Sequence, residues 1–512
     1  MGQESIVIET DTFMANSSAY LLGYDVGSSS IKASLMEAET GELIGSATSP
    51  KAEMAMQAPH EGWAEQDPEA WWQHIIHTTA ELKQQHPHAI AQVGAIGISY
   101  QMHGLVVVDA QQRVLRPSII WCDSRAVATG QQAFSALGEE TCLQHYLNSP
   151  GNFTASKLKW VKENEPEVYK KIHKAMLPGD FVAMKMTGDI NTTISGLSEG
   201  IFWDFKEQSI AYKLLDHYGI DASLLPDITP TFAVQGELNR EVAGQLGLPV
   251  GIKVAYRAGD QPNNALSLNV LRPGEVATTA GTSGVLYGVS DQLEYDLQSR
   301  VNTFAHVNYS QTAPKYGILA CINGTGILNS WLKNYLLNGI SYDEMNSMAA
   351  GIPVGAEGVC VLPFGNGAER TLNNRNIFAH FHGLRFNTHH AAHLLRAAQE
   401  GIVFALKYSF DIMQNMGLVI DTVRAGKANM FLSPVFQEAF ANTTGATVEL
   451  YNTDGAQGAA RGAGVGAGIY QDFAEAFSGL QKLQTVEPDK ALQTAYTDAY
   501  GQWLKILENQ LE

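Results

Sequence analysis

The stretch Tyr24-Asp25-Val26-Gly27-Ser28-Ser29-Ser30 decides how the rest of the chain is read. It lies between the apolar run Tyr20-Leu21-Leu22-Gly23 and a second run from Ile31 to Met36, with Lys32 just beyond the turn. Apolar runs flanking a Gly-Ser turn predict a β-hairpin. An acidic residue, a glycine and hydroxyls at such a tip form a site for a phosphate and its metal. Bare backbone N–H groups and hydroxyls face the anion, and the carboxylate holds Mg²⁺. About 250 residues later, Val276-Ala277-Thr278-Thr279-Ala280-Gly281-Thr282-Ser283-Gly284-Val285-Leu286-Tyr287 repeats the pattern of strand, Gly-hydroxyl turn and strand. Two such hairpins facing each other could clamp the phosphates of one nucleotide.

Gly and Ser also fill type I′ and II′ turns for conformational reasons alone. Either hairpin by itself is open to that reading; the aspartate before the first and the duplication favour a phosphate site. No Gly-x-x-x-x-Gly-Lys-Ser/Thr loop occurs, so any ATP is handled by another device.

At 512 residues the chain is too long for one ordinary core and implies two or three domains. A hydrophobic content of 45% with 17% charged residues suits a soluble globular protein. The net charge of −19 argues against sequence-independent nucleic-acid binding and against attraction to anionic membranes. Cys122, Cys142, Cys321 and Cys360 lie far apart without a CxxC pair, which points to a reducing cytoplasm rather than a disulfide or zinc scaffold. Residues 1–19 are acidic and polar, lack the features of a signal peptide, and are expected to form a flexible extension. No apolar run approaches a membrane span.

Strands are expected at Leu21–Tyr24, Ile31–Met36, Val93–Ile98 and Leu105–Val108, the last two around the turn Gln101-Met102-His103-Gly104. Between them Asp67 and Pro68 start a helix whose Trp71, Trp72, Ile75, Ile76 and Leu82 share one face. The second half begins again with strands, at Val276–Ala280, Val285–Val289 and Val359–Leu362, before a long helix from about Leu394 to Asn415. This is an internal repeat of architecture. The boundary falls between Val254 and Asp260, dividing the chain into 20–255 and 256–512, and the cleft between the halves is the favoured ligand site.

Several longer segments carry a resemblance. They are Gly62-Trp63-Ala64-Glu65-Gln66-Asp67-Pro68 with Trp71-Trp72, Ile96-Gly97-Ile98 leading into Gln101-Met102-His103-Gly104, and Asp109 to Pro117 running on to Trp121-Cys122-Asp123-Ser124-Arg125. From about residue 20 to the C-terminus the chain resembles the FGGY carbohydrate kinases, and within them the xylulokinase branch. The resemblance implies an α/β fold of two ribonuclease H-like, actin/hexokinase-type ATPase domains with sugar and ATP meeting in the cleft. It implies an ATP- and Mg²⁺-dependent kinase for the terminal hydroxyl of a ketopentose, D-xylulose first among them. Ribulose, glycerol or gluconate kinases of the same family are the near alternatives. A nucleotide-gated actin-like binding protein without turnover is the alternative from another class.

By this resemblance Asp25 assists the metal, Gly27, Ser28, Ser29 and Lys32 approach the terminal phosphate, and Gly281, Thr282 and Ser283 supply the opposite clamp. Asp260 looks like the family's catalytic base, which takes the proton of the attacking hydroxyl. An Asp after Ala258-Gly259 is also suited to cap a helix, and both roles can hold. Met102 and His103, with Gln101 and Gln261 beside them, become sugar candidates. Gly62-Trp63-Ala64-Glu65 either borders the sugar or is a packing loop, and Asp123 with Arg125 reads as a structural ion pair near the pocket, with direct sugar contact as the alternative. The run Ala425-Gly426-Lys427-Ala428-Asn429 resembles the family's adenosine loop, offering Gly426 and Asn429 to the nucleotide ahead of a helix. Asp454-Gly455-Ala456 resembles the start of its final small-residue helix, and Gly462-Ala463-Gly464-Val465-Gly466 continues that helix as a packing surface rather than a dinucleotide fingerprint. Dimers are common in the family, and the sequence carries no separate signature of one. The chain departs from the family pattern in several places: Ala258-Gly259-Asp260-Gln261 stands where Gly-Gly-Asp-Asn is usual at the base, Cys122 where Asn is usual before Asp123, Gln399 stands at a usually apolar site, and the adenosine loop is poorer in glycine. These bear on sugar specificity and leave every charged catalytic group in place.

Overall fold

The computed structural model describes residues 20–512, and the extension expected over 1–19 lies outside the described residues. Two mixed sheets organise the chain. In the first, Tyr20–Val26, Ile31–Glu37 and Leu43–Ser49 form an antiparallel meander. Val93–Tyr100 and Lys253–Gly259 extend it in parallel, and Phe232–Glu237 closes the edge. The second sheet repeats this plan. Val276–Ala280, Gly284–Ser290 and Tyr316–Ile322 form the meander, and Thr422–Gly426 and Thr447–Tyr451 add in parallel. Both cores therefore run third, second, first, fourth, fifth strand, which is the duplicated α/β architecture expected from the sequence. Inner strands are buried on both faces and read as nearly continuous apolar runs, as in Leu21 to Tyr24. The expected boundary at residue 255 lies inside the strand Lys253–Gly259.

The helix Pro68–Gln85 starts as its sequence requires, with the Asp67 carboxylate accepting the Glu69 N–H at 3.0 Å. Trp71, Trp72, Ile75 and Leu82 are buried beneath it. Each indole removes about 200 Å² from water, an upper-bound gain of roughly 5 kcal/mol. The long helix of the second half spans Ala391–Asn415. One local expectation needs correction. Gly426 of the expected adenosine loop is the last residue of the strand Thr422–Gly426 and still pairs with Tyr451. The helix expected directly behind it begins only at Pro434, capped by Ser433, because a short 3₁₀ turn over Asn429–Leu432 intervenes, with Asn429 at φ 53°.

Two helices cross between the halves, each following the fifth strand of its sheet: Asp260–Ser267 and Gly455–Gly466. The second lies directly on the first sheet. A Cβ at Gly23 would sit 1.9 Å from the Ala456 carbonyl oxygen and one at Gly97 1.9 Å from that of Ala459, so these positions exclude any side chain. Gly462 faces the Tyr256 ring in the same way, which makes the glycine-rich run a packing surface. One apolar cluster joins Met102, Phe202 and Trp203 to Tyr287 and Phe304, and another joins Leu21 and Tyr256 to Ala459 and Ala463. The halves are thus bridged twice, and the site is built from residues of both.

Candidate functional site

The two hairpins form as read, with Val26 opposite Ile31 in the first and Ala280 opposite Gly284 in the second. Neither Gly27 nor Gly281 occupies the left-handed region, and neither do Ser28 and Ser29. The type I′ and II′ explanation for these residues therefore falls away. What the glycines provide is bare backbone: a Cβ at Gly281 would meet nothing closer than Asn429, at 3.5 Å. In the second hairpin the Gly281 carbonyl accepts from the Thr325 hydroxyl and the Gly326 N–H, each at 2.8 Å, which occupies its carbonyl side from within the second half.

That hairpin separates two cavities. One, of about 450 Å³, is bounded by Gly281, Thr282, Asn329, Tyr342, Asn429 and Ser433. The other, of about 870 Å³, takes His103, Trp121 and Phe153 from the first half and Thr282, Ser283 and Asn323 from the second. Thr282 borders both. Gly281 and Asn429, read separately from the sequence, line the smaller cavity together. Ser28 joins the first hairpin to the larger one: its hydroxyl lies 3.2 Å from Trp121 Nε1, and its carbonyl accepts from Gln66 Nε2 at 2.6 Å.

Asp25 and Asp260 are both half-buried. The Asp25 carboxylate accepts from Ser99 Oγ at 2.9 Å, and burial together with nearby Asp454 raises its pKa, Lys32 acting the other way. Lys32 itself pairs with Asp454 at 2.5 Å across the two halves. Asp260 is the first helical residue, with Gly259 in the cap position. Burial first, then the charge of Asp25, pushes its pKa to about 7, while hydrogen bonds from Gln261, by backbone and side chain, act to lower it. The extra methylene of Gln261 thus folds back onto the base candidate. A carboxyl poised near neutrality is suited to accept a proton at physiological pH.

His103 occupies the left-handed region at φ 62° and sends Nδ1–H to the Glu199 carbonyl at 2.9 Å. That bond leaves Nε2 as an acceptor. Burial and the charge of Lys157 push the imidazole pKa down to about 3, so it is neutral. Lys157 is fully buried, donates to the carbonyls of His103 at 2.8 Å and Ile120 at 2.9 Å, and is pushed down to about 7 by that burial. Met102 packs on the backbone entering Asp260; a Cβ at Gly259 would lie 2.6 Å from its Cγ. Gln101 is buried and its amide donates to Gln66 Oε1 at 3.2 Å, which turns it toward the first hairpin's support.

The Gly62–Glu65 segment packs against the Asp123–Arg125 turn. Asp123 Oδ2 accepts the Ala64 N–H at 2.6 Å, and Asp123 pairs with Arg125, both buried. The Arg125 guanidinium lies 3.7 Å from the Trp63 ring centroid and 4.9 Å from that of Trp160. Three groups that shape the site escaped the sequence reading. Asp454 was visible only as the start of a small-residue helix. Lys157 sits in an ordinary amphipathic segment, and the buried Glu199, whose pKa is raised by burial and by Asp260, has no motif around it.

Among the described residues no cluster of three His, Cys, Asp or Glu side chains could hold a metal ion alone. A Mg²⁺ that arrives with ATP needs only one or two carboxylates, and Asp25, its charge disfavoured by Asp454, fits that role. Among the described residues no helix is long and apolar enough to cross a membrane.

Residues 20–267 match the N-terminal domain of the FGGY family of carbohydrate kinases and residues 276–469 match its C-terminal domain. A xylulose kinase of Escherichia coli (strain K12) is 29% identical over 482 residues, covering 93% of this chain and 96% of that protein. The crystal structure of a xyloylose kinase from Brucella ovis superposes with a TM-score of 0.86 at 27% identity, covering 96% of this chain and 99% of that one. A gluconate kinase from Lactobacillus acidophilus reaches a TM-score of 0.87 over 96% of this chain and 98% of that one, at 21% identity, and so shows the fold alone. The chain belongs to the FGGY family of carbohydrate kinases and is an enzyme that transfers phosphate from ATP to an alcohol group of a sugar.

Proposed function

We propose that the sugar is a ketopentose, D-xylulose, phosphorylated on its terminal O5. The pair of cavities meeting at Thr282, one suited to a nucleotide and the other, holding His103, to a polyhydroxyl substrate, supports a site for ATP and a sugar, and the likeness to xylulose kinases favours this sugar. The neutral His103 accepts a sugar hydroxyl at Nε2, and Met102 packs beside it. Asp260, held by Gln261, takes the proton of the attacking hydroxyl. Gly27, Ser28, Ser29 and Lys32 on one side, with Gly281, Thr282 and Ser283 on the other, orient the phosphates, and Gly426 with Asn429 borders the nucleoside. Asp25 would hold the Mg²⁺ that comes with ATP; such an ion neutralises charge building on the phosphate oxygens. Since phosphoryl transfer is mostly positioning and charge stabilisation, one acceptor for the hydroxyl proton suffices. All four cysteines are free thiols, which supports a reducing cytoplasm as the place of action. The functional division we adopt gives 20–255 the sugar and the first hairpin, and 256–512 the base and ATP.

The test is Asp260→Asn. Turnover falls about 10²–10⁴-fold while ATP binding, measured by calorimetry, stays within twofold. Unchanged turnover rules out Asp260 as the base.

A further inference from the structure

Arg370 stands on the short turn Glu369–Leu372 of the second half, yet it reaches the first. Its Nη1 donates to Ser149 Oγ at 3.0 Å and to Ser299 Oγ at 3.2 Å, and its guanidinium carbon lies 4.9 Å from the centroid of the Phe153 ring. Gly151 lies directly against this guanidinium. A Cβ there would come within 2.2 Å of Nη2, and its φ is +40°. The segment under Arg370 is anchored to the second half a second time. Asn148 exchanges two hydrogen bonds with Thr303, donating to its carbonyl at 2.7 Å and accepting its N–H at 3.1 Å. Phe153, at the far end of that segment, stands edge-on to the His103 ring at 4.7 Å. Arg370, Gly151, Phe153 and His103 all line the larger cavity.

We infer that Arg370 is a positioning residue for the sugar site, acting from the second half through Phe153 on the ring of His103. A planar guanidinium suits this task, since it can bond two hydroxyls in its plane while its face rests on an aromatic ring. An ammonium in its place keeps the charge and loses the plane. The half of the chain that carries the second phosphate hairpin thereby also sets the orientation of the sugar ligand on the other half. A sugar bound in the first half then presents its hydroxyl in register with the phosphate clamp. The inference rests on the proposed role of His103.

The test compares Arg370→Gln, Arg370→Lys, Phe153→Leu, Gly151→Ala and the Arg370→Gln/Phe153→Leu double variant, with His103→Ala as reference. KM for D-xylulose, KM for ATP, kcat and melting temperature are read for each. Arg370→Gln raises the sugar KM about tenfold or more, with the ATP KM within twofold and the melting temperature nearly unchanged. Arg370→Lys falls between it and the parent. Gly151→Ala pushes the guanidinium aside while leaving residue 370 an arginine, reproduces the effect, and serves as the independent variant if Arg370→Gln fails to fold. The double variant is no worse than the worse single one, because both substitutions break the same support. Additive effects in the double variant, or equal rises in both KM values, overturn the inference. A sugar KM moved by His103→Ala but not by Arg370→Gln removes this inference alone, whereas a sugar KM indifferent to His103→Ala removes the sugar-site reading and the inference with it.

Discussion

Asp260→Asn has a second consequence beyond lost turnover: the variant is more stable than the parent above neutral pH. The Asp260 carboxyl rises from an ordinary value of 3.8 to about 7 because burial and Asp25 both disfavour its charge. The folded state therefore holds this proton more tightly than the unfolded chain does. The stability tied to the proton is complete below pH 3.8, declines as pH rises, and is gone above about pH 7. The rise corresponds to an upper bound of about 4 kcal/mol at about 1.36 kcal/mol per pH unit. Asp260 keeps contact with solvent in the cleft, so screening reduces the figure to about 1–2 kcal/mol. Asn has no charge to strand. Thermal unfolding in the absence of nucleotide, followed at pH 8 and pH 5, should show the variant melting about 1–4 °C higher at pH 8. At pH 5 the gain shrinks to roughly a third, since only part of the window has been crossed. A variant that melts at or below the parent at pH 8, or a gain that is the same at both pH values, refutes the reasoning that the site stores an unfavourable charge.

Four further outcomes follow from the same geometry. Gly97→Ala forces a methyl into the Ala459 carbonyl and should destabilise by about 3 kcal/mol in urea titration. Arg125→Met leaves the buried Asp123 without its cation and should cost about 3–5 kcal/mol by the same assay, far more than a surface pair would. Lys157→Met strips the donor from the His103 and Ile120 carbonyls, so stability falls by about 2–4 kcal/mol and the sugar KM rises while the ATP KM holds. Because burial and the charge of Lys157 hold His103 neutral with a pKa of about 3, its imidazole resonances, followed by NMR, should not titrate between pH 5 and 8; a titration near pH 6 would show a solvent-exposed imidazole instead.

The elements of the fold that were legible in the sequence are those with strong local signals. Asp67-Pro68 ahead of Trp71, Trp72 and Ile75 marks a capped amphipathic helix, and that is what forms. The two Gly-hydroxyl turns between apolar runs mark hairpins, and the repeat of the pattern gives the duplication of the fold. The turn over Asn429–Leu432 was not legible, because a single 3₁₀ turn leaves no periodicity to read. Within the candidate site, the hairpin residues were legible through the duplicated Gly-hydroxyl turn, and Asp260, Met102 and His103 became candidates through the resemblance to the FGGY kinases. Lys157, Glu199 and Arg370 were not legible, because each owes its place to tertiary packing between segments far apart in the chain. Lys157, for example, meets carbonyls 37 and 54 residues away. The pairing of Lys32 with Asp454 is equally invisible, since it depends on a helix of the second half lying on the first sheet.

The most direct measurement is a coupled ADP-release assay with ATP, Mg²⁺ and a panel of D-xylulose, D-ribulose, L-ribulose, L-xylulose, glycerol and gluconate. Release that depends strongly on D-xylulose and is lost in Asp260→Asn is the predicted result. Release with another member of the panel and none with D-xylulose would contradict the proposed substrate, and silence across the panel would contradict the account of the site itself.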